Sequence, residues 1–197
     1  MGTRGTVGFR KNGVDKLMYN HYDSYPSGLG AQVVEFLKET SVADISAIFD
    51  KIVMIDGETK PTAQQIEDCK EWTDLTVSEQ STGDWYCLLR DAQGELGAFK
   101  KGLRYMLEAN TFIKDSLFCE YGYIVNLDDE VLEFWEGYQE KPQAGNRYGT
   151  EKDGDYYPCR LVKTYPLNDF TNNNNSLDYI ADMDEALNLK EKEEEVA

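Results

Sequence analysis

Basic residues are scarce in this chain: 20 Lys and Arg stand against 37 Asp and Glu, for a formal net charge of −17. A protein that holds DNA or RNA by its phosphates needs a basic footprint, so direct nucleic-acid binding is not expected. Histidine occurs once, as His21, and the four cysteines (Cys69, Cys87, Cys119, Cys159) are widely spaced with no C-x-x-C pair. Metal coordination is therefore not expected, and the cysteines read as reduced, buried, small apolar residues of a cytoplasmic protein. The sequence also lacks an apolar run near 18 residues and a basic-then-apolar leader, which gives no support for a membrane span or a standard secretion signal. P-loop, dinucleotide-binding and calcium-loop patterns are missing as well, so no cofactor is expected. Gly2 followed by Thr6 fits the loose myristoylation pattern, although Thr6 serves equally as the opening of a strand.

What is present describes a globular domain. With 197 residues, 41% hydrophobic and 12% aromatic, the chain can bury a sizeable core as one unit. Its 13 tyrosines supply apolar area with a polar tip, suited to half-buried strands and to ligand-facing surfaces. The acidity rises toward the C-terminus. It keeps an ordinary protein soluble, and an acidic chain can also imitate a nucleic acid in a basic groove of another protein.

Periodicity and turn chemistry place the elements. Thr6–Arg10 alternates, Asn12-Gly13 is a two-residue hairpin turn, and Lys16–Tyr19 forms the returning strand. Val33, Val34, Phe36 and Leu37 predict a helix from about Gly30 to Lys38, and a second helix follows Ser41. Thr62-Ala63-Gln64-Gln65 offers a capping box for a third. Trp85–Leu89 is a short apolar run whose periodicity fits a strand or a helical turn. Leu96, Phe99, Leu103, Met106 and Leu107 predict an amphipathic helix from about Gly94 to Ala109. A second hairpin joins Tyr121–Val125 to Val131–Trp135 through Leu127–Glu130, residues 137–154 read as an exposed loop, and Cys159–Tyr165 is a last strand stopped by Pro166. The expected fold is α+β: an antiparallel sheet from two hairpins and a C-terminal strand, with helices packed mainly on one face. Residues 1–170 form the expected domain. Residues 171–197, with Asn172–Asn175 and a closing Lys/Glu run, read as a flexible linker and an acidic tail that is either a short helix or disordered.

The segment Tyr19–Gly30 holds the candidate site. Between a strand and a helix it gathers Tyr19, His21, Tyr22, Asp23, Tyr25, Gly28 and Gly30. Gly28 and Gly30 would let backbone approach a ligand, and the helix start would present N–H groups to an anion. The tyrosine rings could stack on a base or sugar, with Asp23 and His21 as polar contacts and Arg10 as a balancing charge. A plain strand-to-helix turn, with Asp23 and Ser24 bonded to local backbone, accounts for the same residues. His21 and Asp23 do not make a triad, since neither Ser24 nor Ser27 sits in a nucleophile elbow.

Three segments, MGTRG with YNHYDSYPSGLG, STGDWYCLLRDAQGELGAFKKGLRYM and SLFCEYGYIVNLDDEVLEFWEG, resemble a group of bacterial and bacteriophage proteins that begin with M-G-T-R and carry a Y-D-x-Y-P-x-G-x-G box. The resemblance covers most of the chain before the tail and implies no particular activity, cofactor or catalytic residue. An N-terminal hairpin also resembles the start of N-terminal-nucleophile hydrolases. Those require Cys, Ser or Thr as the first mature residue, whereas Gly2 follows Met1 here. The expected function is that of a non-enzymatic binding or accessory protein, phage- or mobile-element-encoded by analogy, acting on a host protein or a small-molecule ligand. The alternative is an enzyme acting on a small nucleotide-like ligand at the Tyr19–Gly30 box.

Overall fold

A computed structural model describes residues 2–172 and 175–196, with side chains through residue 189. Strands β1 (Gly5–Lys11) and β2 (Val14–Asn20) form the first hairpin. Asn12 and Gly13 both adopt positive φ, 53° and 74°, as a two-residue turn matched to strand twist requires. Helix α1 (Ala31–Lys38) and helix α2 (Val42–Lys51) follow, and the Ser41 hydroxyl caps α2 by accepting from the Asp44 N–H. A short strand β3 (Val53–Ile55) leads to α3 (Ala63–Cys69), where Thr62 and Gln65 complete the capping box. The apolar run at Trp85 resolves as a single helical turn, α4 (Trp85–Leu88), capped by Asp84. Next come a one-turn helix α5 (Gly97–Lys100) and strand β4 (Tyr105–Leu107). The second hairpin is β5 (Tyr121–Asn126) and β6 (Val131–Glu136), then β7 (Arg160–Pro166), the one-turn α6 (Leu167–Phe170) and α7 (Tyr179–Val196).

The main sheet has five strands in the order β2-β1-β5-β6-β7. It is mostly antiparallel, with one parallel junction where Gly5–Arg10 pairs with Tyr121–Asn126. A parallel pair of β3 and β4 makes a second, two-stranded sheet. Alternation along the strands sends Val7, Phe9, Tyr123, Val125, Leu132 and Phe134 to one face, where α1, α2 and α7 cover them and build the main core. The helices therefore lie mainly on one face, and the class is α+β as the patterning predicts. The other face carries a smaller cluster of Leu17, Ile124 and Trp135, closed by Ile113, Cys119, Tyr148 and Cys159 from loops. All four cysteines are buried and free, and burial pushes the Cys69 thiol up to about 11, where it stays protonated at neutral pH. No helix among the described residues is long and apolar enough to cross a membrane.

Three expectations change. The helix read from Gly94 to Ala109 is one turn, a reversal and a strand. Gly102 takes φ 111°, and the Leu103 N–H reaches back to the Ala98 carbonyl at 3.1 Å, closing α5. The apolar spacing holds in either form, because Leu96, Phe99, Leu103 and Met106 are all buried. Second, residues 137–154 are not a free loop. The Gln143 amide exchanges two hydrogen bonds with Leu161 of β7, at 2.9 and 2.8 Å, so a side chain does for that edge what a strand would do. Arg147 also donates to both oxygens of buried Glu133 at 2.6 Å and lies over the Trp135 and Tyr148 rings. Third, helix is the form the tail takes of the two read for it, as α7, and its first turns pack into the main core, where Tyr179 and Met183 are 5% and 0% exposed; Asn173 and Asn174 of the linker lie outside the described residues.

Candidate functional site

The strand-to-helix segment after β2 divides into an inner half that holds the loop and an outer half that faces solvent. Asn20, 8% exposed, donates through Nδ2 to the Tyr22 carbonyl at 2.6 Å and to the Ser24 hydroxyl at 2.8 Å. Ser24 is fully buried; its N–H donates to the Thr3 carbonyl at 3.1 Å and its carbonyl accepts from the Tyr123 hydroxyl at 3.0 Å. Asp23 takes φ 57°, which turns the chain, and its carbonyl accepts from the Leu29 N–H at 2.8 Å. A methyl group on Gly28 would lie 2.1 Å from that same carbonyl oxygen, and one on Gly30 would lie 3.1 Å from the Tyr123 ring. Both glycines thus have a packing reason within the protein. The Gly28 and Gly30 N–H groups are bonded to the Tyr25 carbonyl, at 2.9 and 3.4 Å, so the helix start does not offer them to an anion.

The outer half behaves differently. His21, Tyr22 and Asp23 line a polar cavity of about 290 Å³, together with residues from a segment far along the chain: Arg90, Asp91, Gln93 and Glu95. The Tyr19 hydroxyl and His21 Nδ1 are 2.9 Å apart, and their rings meet edge to face. Partial burial, then the nearby Arg90 and Arg4 guanidinium groups, lower the His21 pKa below its ordinary value of 6.5. The imidazole is therefore neutral at pH 7. Arg90 lies 5.6 Å from the centroids of both the Tyr22 and Tyr86 rings and donates through Nη1 to Gln93 Oε1 at 2.6 Å. The carboxylates in the wall, Asp23, Asp74, Asp91 and Glu95, outnumber this one guanidinium. Asp74 is held below the usual carboxylate range, chiefly by the Thr76 hydroxyl and N–H bonded to it. Asp23 and Asp91 have no side-chain hydrogen bond or ion pair among the described residues.

Beside this chamber lies a second one of about 220 Å³ with an apolar wall that includes Met18, Leu89, Phe99, Leu103 and Met106, and with Tyr19, Tyr86 and Tyr105 also in its lining. The two cavities share Gln93, and consecutive residues of β2, Tyr19 and Asn20, flank them. Of the residues singled out in the sequence, the structure brings Tyr19, His21, Tyr22 and Asp23 to this double cavity. Tyr25 is 39% exposed and lines neither chamber. Arg10 is not at the site. It sits near the hairpin tip, bonded to Asp15 at 2.8 Å, five residues and so about 16 Å along β1 from the end that meets Asn20. The cation at the site is Arg90, which sequence reasoning missed because it approaches from 70 residues downstream; only the polar residues crowded behind the Trp85–Leu89 run hinted at it. Among the described residues no group of three or more His, Cys, Asp or Glu could hold a metal ion.

Comparison of the chain with protein-family models, with curated proteins and with solved structures finds no match.

Proposed function

We propose that the protein binds a small organic molecule with an apolar body and a positively charged polar head, and that it does so without transforming it. The observation that carries this reading is the pairing of an apolar and an acidic chamber across Gln93. Their combined size falls in the range of small-molecule sites, roughly 300–1,000 Å³. The apolar chamber would take the body, because transfer of apolar surface from water is favourable there. The head would meet Asp23 and Asp91, whose carboxylates have no protein partner among the described residues, while Arg90 stays fixed by Gln93 and two tyrosine rings. Among the described residues no serine, threonine or cysteine side chain is paired with His21, which favours binding over turnover: its Nδ1 meets the Tyr19 phenol, and the Ser24 hydroxyl is held by Asn20.

Calorimetric titration with phenethylamine and with 3-phenylpropanoate tests the reading, since the two share a body and differ in the charge of the head. The amine is expected to bind saturably and the acid at least about tenfold more weakly, a difference of about 1.4 kcal/mol. Asp23→Asn is expected to narrow that gap, and Ala109→Phe, at the wall of the apolar chamber, to abolish binding. Equal affinity for the two molecules, or binding indifferent to both substitutions, refutes the proposal.

A further inference from the structure

A separate cavity of about 390 Å³ lies between one face of α2 and the segment Phe99–Arg104. Ile48, Phe99 and Leu103 give it an apolar floor, and the last two also form part of the wall of the apolar chamber beside Tyr19, so the two cavities lie back to back. Three cations, Lys51, Lys100 and Arg104, stand around it, in a chain whose acidic residues outnumber its basic ones 37 to 20. Lys100 donates to the Glu39 carbonyl at 2.9 Å and lies 3.6 Å from the Glu39 carboxylate. The side chains of Lys51 and Arg104 have no hydrogen-bond or ion-pair partner among the described residues. The carboxylate in the wall, Asp44, is engaged at the start of α2, where it accepts from the Ser41 hydroxyl at 2.6 Å.

Thr40 adds an independent observation. It lines the same cavity, is 4% exposed, and carries a buried hydroxyl oxygen with no hydrogen-bond partner, alone in that respect among the described residues. Leaving a buried hydroxyl unsatisfied costs free energy, and proteins rarely do so without a reason. An acceptor lodged in the cavity supplies the missing partner.

We propose that this cavity binds a phosphorylated small molecule. The phosphate sits among Lys51, Lys100 and Arg104, the Thr40 hydroxyl turns about χ1 to donate to one of its oxygens, and the body of the ligand covers Phe99 and Leu103. Convergence of several cations suits a dianion better than a single carboxylate, and guanidinium and ammonium groups are the usual phosphate partners. The volume admits a phosphate with a small ring system and excludes a helix or a duplex.

The test uses the full chain, with AMP, adenosine and inorganic pyrophosphate as probes in calorimetric titrations. AMP is expected to saturate a single site and adenosine to bind at least about tenfold more weakly, because it lacks the charge-assisted bonds. Lys51→Gln and Arg104→Gln are each expected to lower AMP affinity about tenfold; both residues are exposed, so the fold is retained and the same Tm in the free protein verifies it. Thr40→Val is the sharpest probe. It is expected to raise the Tm of the free protein, by removing the unsatisfied hydroxyl, and to weaken AMP severalfold. A merely structural threonine would not give those opposite signs. Saturable binding of neither AMP nor pyrophosphate below about millimolar concentration, wild-type affinity in the Lys51→Gln/Arg104→Gln double variant, or loss of binding on Arg90→Gln in place of these variants overturns the proposal.

Discussion

Replacing Arg147 with Met leaves the Glu133 carboxylate, 3% exposed, without its counter-charge. In the native protein that carboxylate accepts from Arg147 through both oxygens at 2.6 Å, from Asn126 Nδ2 at 2.7 Å and from Trp135 Nε1 at 3.0 Å. Met fills much of the arginine stem's volume and keeps contact with the Trp135 ring, so packing changes little and charge changes most. Breaking a buried ion pair from one side costs about 3–5 kcal/mol. The Arg147 side chain is 24% exposed, so water takes part of its role and the low end, about 3 kcal/mol, is expected. For a chain of this size that is a fall in Tm of roughly 6–12 °C. Urea denaturation of the wild type, of Arg147→Met, and of Arg147→Met with Glu133→Gln measures it. The double variant removes the stranded charge yet keeps an oxygen for the Trp135 and Asn126 donors, and should recover at least half of the loss. A single-variant cost below about 1 kcal/mol, the value of an exposed pair, would refute the reasoning, as would a double variant no more stable than the single one.

Two further outcomes follow from the loop after β2. Gly28→Ala sets a methyl group against the Asp23 carbonyl oxygen, 2.1 Å away and fixed by the Leu29 N–H; it should cost about 2–3 kcal/mol in chemical denaturation, while Gly30→Ala, whose methyl group meets the Tyr123 ring at the longer distance of 3.1 Å, should cost less. His21 is the chain's one histidine, so its imidazole signals in an NMR titration are unambiguous and should report a pKa below 6.5, rising in Arg90→Gln. Because the folded value is depressed, this group's contribution to stability is complete above about pH 6.5 and is lost as the pH falls through the folded value. A wild-type pKa at or above 6.5 would contradict the placement of Arg90 beside it.

Local chemistry was legible in the sequence and long-range pairing was not. The Asn12-Gly13 turn, the helix start after Ser41 and the Thr62 capping box each depend on atoms within a few residues, and each forms as read. The two hairpins follow for the same reason. The parallel junction of β1 with β5 leaves no local trace, since nothing in Gly5–Arg10 specifies Tyr121–Asn126. The stretch Gly94–Ala109 misleads because a helical turn followed by a strand can bury the same apolar residues as one helix, and only the backbone of Gly102 separates the two. Residues 137–154 look like a loop by composition, yet Gln143, Arg147 and Tyr148 are held there by partners on β7, β6 and β2. At the candidate site, the run Tyr19–Gly30 stands out in the sequence and its first half lines the paired cavities, while Arg90 and the apolar chamber depend on packing across the chain.

The parallel junction also sets the order of events when the chain is made. β1 lies inside the finished sheet, with β2 on one side and β5 on the other. Its hairpin with β2 can close once Asn20 has emerged from the ribosome, but the register partner of Gly5 on the far side is Tyr121, about a hundred residues later. At roughly 5–20 residues per second the ribosome takes on the order of ten seconds to supply that partner. During this interval an edge containing Val7 and Phe9 is open, with its backbone groups unpaired, which is the arrangement that invites strand exchange between nascent chains. Folding of this protein should therefore be slow and sensitive to concentration, with β5 as the element that ends the vulnerable period.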